Sequence, residues 1–262
     1  MIEKITSLQN PLVKDTAELK NKKAREEKGV FFLEGKRAVE EALTCGWQIE
    51  TLFFTTKEPM NNPALAATKA PCYLVNESIM HKIAATEHPQ NIGAVMVQKK
   101  STWNDFPNKD GILLVLDGIM DPGNLGTIIR TADAAGALGI FVLDNSVDLF
   151  NPKVIRSTMG SIFHLPIITG ITDDQLVDFC EKQGRTLWAT ALEGAQDYRQ
   201  GVWPKKVALV MGNEARGVRP ELLERTEKKI CIPMPGKAES LNVAIATGIF
   251  LFAYQGLTCQ SK

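Results

Sequence analysis

The sequence predicts an α/β protein of two domains, the second of which contains a parallel β-sheet. Its strand candidates, such as residues 113–116, are continuously apolar, as expected for strands that helices cover on both faces. Strand and helix patterns alternate along the chain, which is typical of this fold class. Residues 99–110 are polar, contain Pro107 and lack an apolar period, so they form a predicted linker. We therefore predict one domain over residues 1–106 and another over residues 107–262.

Composition sets broad limits on function. The chain has 262 residues, of which 44% are hydrophobic and 23% charged, as in ordinary globular proteins. The 30 basic and 30 acidic residues cancel, so overall charge does not indicate a nucleic-acid partner, and any basic surface must be local. The five cysteines are scattered without CxxC spacing, which argues against a zinc site and a disulfide framework. We expect no metal.

Targeting and membrane segments are not expected. Residues 1–10 lack the apolar core of a signal peptide, and no run approaches the roughly 18 apolar residues of a membrane span. The prediction is a reduced, cytoplasmic protein that does not enter a membrane.

The first domain is predicted to begin with a helix over residues 7–28, because Leu12, Val13 and Leu19 fall close to one helical face. The basic residues of this segment are Lys20, Lys22, Lys23, Arg25 and Lys28. They could form an arm that contacts phosphates, or they could pair with the interleaved glutamates on a solvated face. Composition alone favours the second interpretation.

The rest of the first domain alternates strand and helix. A strand at residues 30–33 leads through Glu34-Gly35-Lys36-Arg37 into a helix at residues 38–44, which ends at Gly46. Further strands are predicted at residues 49–55, 72–75 and 92–98, and further helices at residues 63–68 and 78–84. This pattern indicates a small α/β/α layer domain.

The second domain has a regular alternating pattern. Its predicted strands are residues 112–116, 140–143, 166–168, 186–191, 207–211 and 229–232. Its predicted helices are residues 125–135, 152–159, 173–183, 220–226 and 240–256. Asn151 and Pro152 are typical of a helix start, and Gly184 of a helix end. A doubly wound sheet is the prediction.

Three loops at strand ends carry polar residues and glycines. They are residues 117–126, 212–217 and 232–244. The loops would form one pocket if their strands were neighbours. No GxGxxG pattern follows the first strand, and no GxxxxGKS or GxxxxGKT pattern occurs, so both common nucleotide fingerprints are absent. This disfavours a nicotinamide-dependent oxidoreductase on the same type of sheet.

The residues of these loops resemble a known enzyme family. The motifs are Pro122-Gly123-Asn124-Leu125-Gly126 with Arg130, then Gly212-Asn213-Glu214 with Gly217, then Ile232-Pro233-Met234 and Ser240-Leu241-Asn242-Val243-Ala244. In order and spacing they resemble the three motifs of the SpoU (TrmH-like) branch of the SPOUT RNA methyltransferases. The resemblance covers about residues 111–254. The preceding segment resembles the L30e-like RNA-binding domain that is often joined to this enzyme.

The resemblance implies a fold and an activity. The fold is the SPOUT α/β-knot, a parallel sheet with a C-terminal trefoil knot, although the rarity of knots argues against one. The activity is S-adenosylmethionine-dependent methylation of a ribose 2′-hydroxyl in RNA. By analogy, the separate N-terminal domain favours ribosomal RNA. A tRNA 2′-O-methyltransferase and a non-catalytic RNA-binding protein that retains the fold stay open as alternatives.

The resemblance also implies a homodimer in which the C-terminal helix packs against its symmetry mate. Small residues that permit close helix contact are Ala244, Ala246, Gly248 and Ala253. Trp188 and Trp203 are interpreted as packing residues, with Trp203 a candidate for the dimer surface. His164 is expected to be a buried structural histidine, since no nucleophile signature lies near it.

Five residues are predicted by resemblance to act in catalysis: Asn124, Arg130, Glu214, Ser240 and Asn242. A guanidinium stays protonated, so we interpret Arg130 as a clamp for phosphate and the developing oxyanion. The resemblance implies that Glu214 orients that arginine or the donor, and an ion pair with Arg216, Arg219 or Arg130 is expected. Without the family match, a surface salt bridge explains Arg130, and helix capping explains Ser240 and Asn242.

The remaining site predictions concern the methyl donor and the RNA. S-adenosylmethionine needs free backbone amides and carbonyls for its adenine and apolar walls for the ring. The predicted donor contacts are Met211, Gly212, Asn213, Ile232, Met234, Leu241 and Val243. Plain turns at Gly212 and Gly236 are the alternative. The predicted RNA contacts of the first domain are Lys22, Lys23, Arg25, Lys36 and Arg37.

Overall fold

The computed structural model of the chain describes residues 2–57, 61–200 and 202–259, with side chains described as far as residue 256. The chain forms two units. The first unit comprises Met1–Lys99 and Phe150–Phe163, and the second comprises Lys100–Leu149 and His164–Lys262. The domain boundary between residues 106 and 107 stays a prediction.

The secondary structure elements are numbered along the chain. The strands are β1 Ile2–Ile5, β2 Val30–Glu34, β3 Ile49–Phe54, β4 Cys72–Val75, β5 Ile92–Val97, β6 Gly111–Asp117, β7 Ile140–Leu143, β8 Ile167–Ile171, β9 Thr186–Thr190, β10 Gln196–Asp197, β11 Lys206–Gly212 and β12 Lys228–Cys231. The helices are α1 Pro11–Ala17, α2 Lys22–Lys28, α3 Lys36–Thr44, α4 Pro63–Ala66, α5 Glu77–Ile83, α6 Pro122–Ala134, α7 Pro152–Thr158, α8 Asp173–Gln183, α9 Pro220–Leu223 and α10 Val243–Cys259.

A mixed sheet with the strand order β1-β4-β3-β5-β2 forms the centre of the first unit. Strands β1, β4 and β3 are parallel, and β5 is antiparallel to both β3 and β2. Strand β1 was not predicted, because Glu3 and Lys4 interrupt its two isoleucines and only Ile5 is buried. An edge strand of this kind carries too little apolar pattern to be seen in the sequence.

The predicted single helix over residues 7–28 is wrong. Helix α1 ends at Ala17, a short 3-10 helix spans Glu18–Lys20, and α2 begins at Lys22. The break lies at Asn21, whose backbone is extended, with φ of −90° and ψ of 135°. An asparagine readily adopts such a non-helical conformation at a helix start, which the apolar period does not reveal.

Aromatic contacts hold Phe150–Phe163 within the first unit. The ring of Phe150 stacks on Phe31 at a centroid distance of 4.9 Å. Phe163 contacts Trp47 edge to face at 5.1 Å. A helix as short as α7 is not stable by itself. The apolar surface that these rings bury holds the segment in the first unit.

The second unit confirms the predicted parallel sheet. Its strand order is β10-β12-β9-β11-β6-β7-β8, and each neighbouring pair is parallel. The two central strands, β11 and β6, pair along their whole length, from Lys206 opposite Gly111 to Gly212 opposite Asp117. Because parallel strands end at one edge of a sheet, the loops that follow β6 and β11 lie side by side.

Two element boundaries in the second unit differ from prediction. Helix α6 begins at Pro122, three residues earlier than predicted, because Asp121 caps it. Helix α10 begins at Val243 instead of Ser240, and residues 232–242 form an irregular loop before it. The trefoil knot stays a prediction. No helix in the described part of the chain has the length and apolar character to cross a membrane.

Candidate functional site

The three predicted loops meet through the side chain of Asn124. Its amide nitrogen Nδ2 donates to Glu214 Oε1 at 2.9 Å, and its Oδ1 accepts from Asn242 Nδ2, also at 2.9 Å. These partners are 90 and 118 residues away in the chain. One side chain therefore connects the loops after β6, after β11 and before α10. The strands β6 and β11 are neighbours, as the prediction required, whereas β9 lies between β11 and β12.

Helix capping places both asparagines at this edge of the sheet. Asp121 Oδ1 accepts from the backbone N–H of Asn124 at 2.8 Å, and Pro122 occupies the first turn of α6. Asn242 Oδ1 accepts from the backbone N–H groups of Ala244 and Ile245 at 2.9 and 3.3 Å. Asn242 thus uses its oxygen as an N-cap and its nitrogen for the bond to Asn124. The two interpretations of Asn242, capping and site contact, are compatible.

The loop after β11 folds back tightly on itself. A Cβ atom on Gly212 would lie 2.1 Å from the carbonyl carbon of Gly217 and from the backbone nitrogen of Val218. Backbone hydrogen bonds join Asn213 and Gly217 in both directions, at 3.0 and 2.9 Å. Only glycine permits this close approach of two backbone segments, so the requirement for Gly212 is steric.

Asn213 fixes the same loop to its neighbour. Its Oδ1 accepts from the backbone N–H groups of Ala215 and Arg216 at 3.0 and 3.1 Å. Its Nδ2 donates to the carbonyl oxygen of Gly118, in the loop after β6, at 2.7 Å. These hydrogen bonds hold the loop that carries Glu214 in place.

A buried ion pair, which the sequence analysis missed, anchors the far end of this loop. Asp117, at the end of β6, is 2% exposed. Its carboxylate accepts from Arg219 Nε at 2.6 Å and from the Arg219 backbone N–H at 2.8 Å, while Arg219 Nη2 donates to Asp173 at 2.7 Å. Burial opposes the charge of Arg219, but its hydrogen bonds to both carboxylates outweigh burial and raise its pKa. An acidic residue that ends an apolar strand is the signal that would have found this cluster.

Arg130 lies on α6 six residues after Asn124. The apolar stripe of this helix, including Leu125, Ile129 and Ala132, is buried, whereas Arg130 is exposed. Within residues 2–57, 61–200 and 202–256 no hydrogen bond or ion pair engages its guanidinium. The salt-bridge explanation of Arg130 therefore does not hold in this structure.

The prediction that Glu214 pairs with an arginine is wrong, since no such ion pair forms within the part of the chain that the structure describes. The Glu214 carboxylate accepts from Asn124 at 2.9 Å and from Asn213 Nδ2 at 3.5 Å. Arg219 is committed to Asp117 and Asp173 instead. Side-chain amides thus surround the carboxylate, and they orient it without neutralising its charge.

The predicted donor residues differ in exposure. Met211, Gly212 and Val243 are buried, Asn213, Ile232 and Met234 are half-buried, and Leu241 and Ser240 are exposed. In the described loop, none of the backbone N–H groups of residues 236–241 donates to another backbone carbonyl. Free backbone groups beside half-buried apolar side chains are the combination that an adenine ring and its edge require. The residues present therefore fit S-adenosylmethionine.

Two other expectations need correction. His164 is exposed rather than buried, and its Nδ1 lies 2.7 Å from Asp133 Oδ2. Trp203 is buried and packs on Trp188 at a centroid distance of 4.9 Å, while its Nε1 donates to the Tyr198 carbonyl. The packing interpretation of both tryptophans is confirmed, and burial leaves Trp203 no surface for a partner subunit.

The predicted RNA contacts of the first unit fall into two classes. Lys22 and Lys23 are exposed but lie 3.6 and 3.7 Å from the carboxylates of glutamates four residues ahead, the pairing that composition favoured. Arg25 is 2% exposed and its Nη1 donates to the carbonyls of Leu19 and Lys20, so it is a structural residue that phosphate cannot reach. Lys36 and Arg37 are exposed at the start of α3.

Two family models match the chain. The SpoU rRNA Methylase family matches residues 111–252. The MRM3-like substrate binding domain matches residues 10–94. The first match covers more than half of the chain and includes all of the loop residues described above.

Relatives of known description align over most of the chain. The 23S rRNA (guanosine(2553)-2′-O)-methyltransferase RlmP of Bacillus subtilis (strain 168) is 36% identical over 255 residues, which are 97% of this chain and 100% of the relative. The 23S rRNA (uridine(2479)-2′-O)-methyltransferase of Streptomyces viridochromogenes is 28% identical over 244 residues, which are 89% of this chain and 85% of the relative.

Solved structures agree with these relatives. The AdoMet-bound rRNA methyltransferase from Sinorhizobium meliloti has a TM-score of 0.90 at 39% identity, covering 97% of this chain and 98% of that chain. The SpoU methyltransferase AviRb from Streptomyces viridochromogenes, in complex with AdoMet, has a TM-score of 0.89 at 25% identity, covering 96% and 99%. The predicted SPOUT α/β fold class is confirmed. With its motif loops joined at Asn124 and a family match over residues 111–252, this chain belongs to the SpoU rRNA Methylase family.

Proposed function

We propose that this chain transfers a methyl group from S-adenosylmethionine to a ribose 2′-hydroxyl of ribosomal RNA, in the large-subunit 23S RNA. The observation that carries this proposal is the bonded series Asn242, Asn124 and Glu214 at the strand ends, with the unpaired Arg130 on the same helix as Asn124. The relatives named as 23S rRNA 2′-O-methyltransferases support the choice of substrate. Because the proposed substrate is ribosomal RNA, we place the activity in the cytoplasm.

The reaction requires alignment of two substrates and removal of a weakly acidic proton. The 2′-oxygen attacks the methyl carbon, the carbon–sulfur bond breaks as the oxygen–carbon bond forms, and the hydroxyl proton passes to solvent water. Arg130 holds the RNA phosphate and stabilises the negative charge that develops on the 2′-oxygen, since its guanidinium has no internal partner. It is not the base, because it stays protonated.

Asn124, Glu214 and Asn242 position the reacting groups. The bond from Asn124 to Glu214 and the bond from Asn242 to Asn124 hold the loops at one spacing. A fixed spacing keeps the 2′-oxygen, the methyl carbon and the sulfur in line. This alignment lowers the activation barrier of methyl transfer. Exposed Ser240, in the loop before α10, is proposed to lie beside the reacting hydroxyl.

The donor site is proposed along the loops after β11 and β12. The backbones of Met211, Gly212 and Asn213 border it on one side, and Ile232 and Met234 form an apolar wall on the other. Leu241 and Val243 complete it at the start of α10. When bound there, the sulfonium group supplies an activated methyl, and the protein supplies orientation and a surface that excludes water.

We infer a homodimer from the exposed face of α10. Ile245 and Phe252 are 58% and 55% exposed, and half-buried Ile249 lies between them on the same helical face. Apolar residues at this spacing form a stripe that a second copy of the helix would cover. Of the four small residues, Ala244 is buried within the chain and Gly248 faces Thr131 of α6, so these two are not available to a partner. The predicted homodimer is kept, and its proposed contact is the face of α10 that carries Ile245, Ile249 and Phe252.

Two measurements test the function. Titration calorimetry of the full-length protein should show S-adenosylmethionine binding. Mapping of ribose methylations in ribosomal RNA, with and without this protein, should show one site that depends on it. If the folded protein binds the donor and no RNA methylation changes, the substrate assignment fails. If it does not bind the donor, the methyltransferase assignment itself fails.

A further inference from the structure

The first unit contains a cavity of about 280 Å³ that the proposed activity does not use. It lies between β2, α3 and Pro152–Thr158, all of which belong to this unit. Its apolar lining includes Leu19, Phe32, Leu33, Ile83, Ile155 and Phe163. A cavity of this size and lining suits a small flat molecule better than an ion or a water cluster.

Three cationic side chains lie in the lining. Lys20, Arg37 and Arg156 are all exposed. Across the described residues no ion pair engages any of them, in contrast to the paired Lys22 and Lys23. An apolar interior with unpaired cations at its edge matches a ligand that has a flat apolar body and an anionic group.

The single carboxylate of the lining, Glu34, is already held in place. Its Oε1 accepts from Thr86 Oγ1 at 2.8 Å and from the backbone N–H of Gln90 at 2.9 Å. Its Oε2 accepts only from the same Thr86 hydroxyl, at 2.9 Å. An oriented carboxylate oxygen with spare accepting capacity suits an N–H group on the edge of a heterocycle.

The walls of the cavity are fixed by two close approaches. The Phe32 ring lies against β5, since a Cβ atom on Gly93 would come within 2.3 Å of its Cζ. The Gln90 side chain lies over Gly35, where a Cβ atom would come within 2.8 Å of Nε2 and where φ is 103°. The aromatic wall is therefore formed before a ligand arrives, which lowers the entropy that binding costs.

We propose that this cavity binds one unpaired nucleotide of the RNA substrate, with the base against Phe32 and Phe163 and the phosphates on Arg37 and Arg156. This inference rests on the proposed function, because it names a second contact of the same RNA. Unpaired bases that stack on aromatic rings, with arginines on the adjoining phosphates, are the usual mode of single-stranded RNA recognition.

The phosphate contacts are tested by salt dependence. Binding of fluorescent hexauridylate to the full-length protein is measured over a range of salt concentrations. Arg37→Ala and Arg156→Ala should each weaken binding and reduce the slope of log affinity against log salt by about 0.7, the value for one phosphate of a single strand. Lys69→Ala removes an exposed charge of the same unit outside the lining and is the matched control. Arginine variants with the slope of the control would overturn the phosphate assignment.

The base contact is tested by filling the cavity. Ala38 belongs to the lining, so Ala38→Phe places a ring where the base would lie. The wild-type protein should bind hexauridylate at least about fivefold tighter than an abasic hexamer of equal charge, and Ala38→Phe should abolish that preference. A far-UV circular dichroism spectrum and a melting temperature equal to those of the wild type show that the variant is folded. A folded Ala38→Phe protein that keeps the preference would overturn the inference, and so would a wild-type protein without one.

The two proposals fail in different ways. If ribose methylation of ribosomal RNA is absent but hexauridylate still distinguishes wild type from Ala38→Phe, the proposed function falls and the nucleotide cavity stands. If methylation occurs and the cavity variants bind as the wild type does, only the cavity inference falls.

Discussion

Asn124 uses both ends of its side-chain amide, and this makes its substitution by aspartate informative. Asn124→Asp would place a carboxylate against Glu214 Oε1, where the amide nitrogen now donates at 2.9 Å. Two carboxylates at this distance raise the pKa of one of them, so the hydrogen bond returns only when a proton is shared. We therefore expect slow methyl transfer at neutral pH and a partial recovery as the pH falls.

The measurement is the ratio of the variant rate to the wild-type rate in single-turnover methylation. That ratio should rise as the pH is lowered from about 8 to about 6. Asn124→Ala removes the same bonds without adding a charge, so its ratio should stay constant over this range. A constant ratio for Asn124→Asp would show that Glu214 does not lie against residue 124 during the reaction.

Arg130 separates catalysis from donor binding. If its guanidinium stabilises charge on the 2′-oxygen, Arg130→Ala should lower the methyl-transfer rate about a hundredfold or more. Arg130→Lys should restore little, because an ammonium lacks the planar fork. Calorimetry should find S-adenosylmethionine affinity unchanged in both variants. An Arg130→Ala protein with the wild-type rate would remove Arg130 from the mechanism.

For single residues, the sequence motifs identified members of the site, but they did not identify residues whose role depends on packing. Asn124 and Asn242 were found because they belong to the motifs that resemble the SpoU family. Arg25 was misassigned, since nothing in a charged helix pattern indicates that one arginine is buried. Asp117 was overlooked, because an acidic residue at the end of an apolar strand does not indicate its partner, and Arg219 is 102 residues away.

The loop after β11 is an element whose shape depends on one missing side chain. Gly212→Ala would force its Cβ into the backbone of Gly217 and Val218, at 2.1 Å, so the loop must open. Neighbouring Met211, Asn213 and Glu214 would then move together. We expect calorimetry to show S-adenosylmethionine affinity lower by roughly tenfold or more, with a lower melting temperature.

Gly236→Ala is the control for that substitution. Gly236 lies in the loop before α10, and a Cβ atom there meets nothing within 4 Å. Its donor affinity should match that of the wild type. Equal effects of the two substitutions would mean that glycine content, rather than the close approach at Gly212, sets the loop shape.

Element boundaries were predictable where a cap or a break lies in the local sequence. Asp173–Gln183 was predicted as it occurs, and Gly184 marks its end. The structure adds Thr172 as the N-cap at its start. Helix α10 starts three residues later than predicted, since Ser240 and Asn242 are both good N-caps and only the bond from Asn242 to Asn124 decides between them. Tertiary contacts chose between options that local propensity left equal.

The proposed dimer belongs to the scale of the whole molecule. Ile245→Glu with Phe252→Glu places charges on the exposed stripe of α10, at side chains that are 58% and 55% exposed. Sedimentation velocity at micromolar concentration should show a dimer for the wild type and a monomer for this variant. Val202→Glu, at a residue that is 92% exposed, should remain dimeric. A wild-type monomer with full activity would refute the dimer.

The unit division was predictable only in part from the sequence. The polar linker pattern marks the end of the first chain segment, but nothing local indicates that Phe150–Phe163 joins the unit of residues before it. That assignment depends on the stacking of Phe150 on Phe31, a contact between residues 119 positions apart (150 minus 31). The sequence around an aromatic residue does not specify which ring that residue will meet.

The hydrogen bonds of Asn124 also determine when the site can assemble during synthesis of the chain. Synthesis produces Asn124 first, Glu214 90 residues later and Asn242 118 residues after Asn124. Domains fold as units while the chain grows, but this set of contacts cannot close until the segment with Asn242 is free to reach the sheet. A ribosome that has not yet released the segment with Asn242 therefore holds an enzyme without an assembled site. Under the proposed function, no copy can modify RNA before that segment has left the ribosome that is making it.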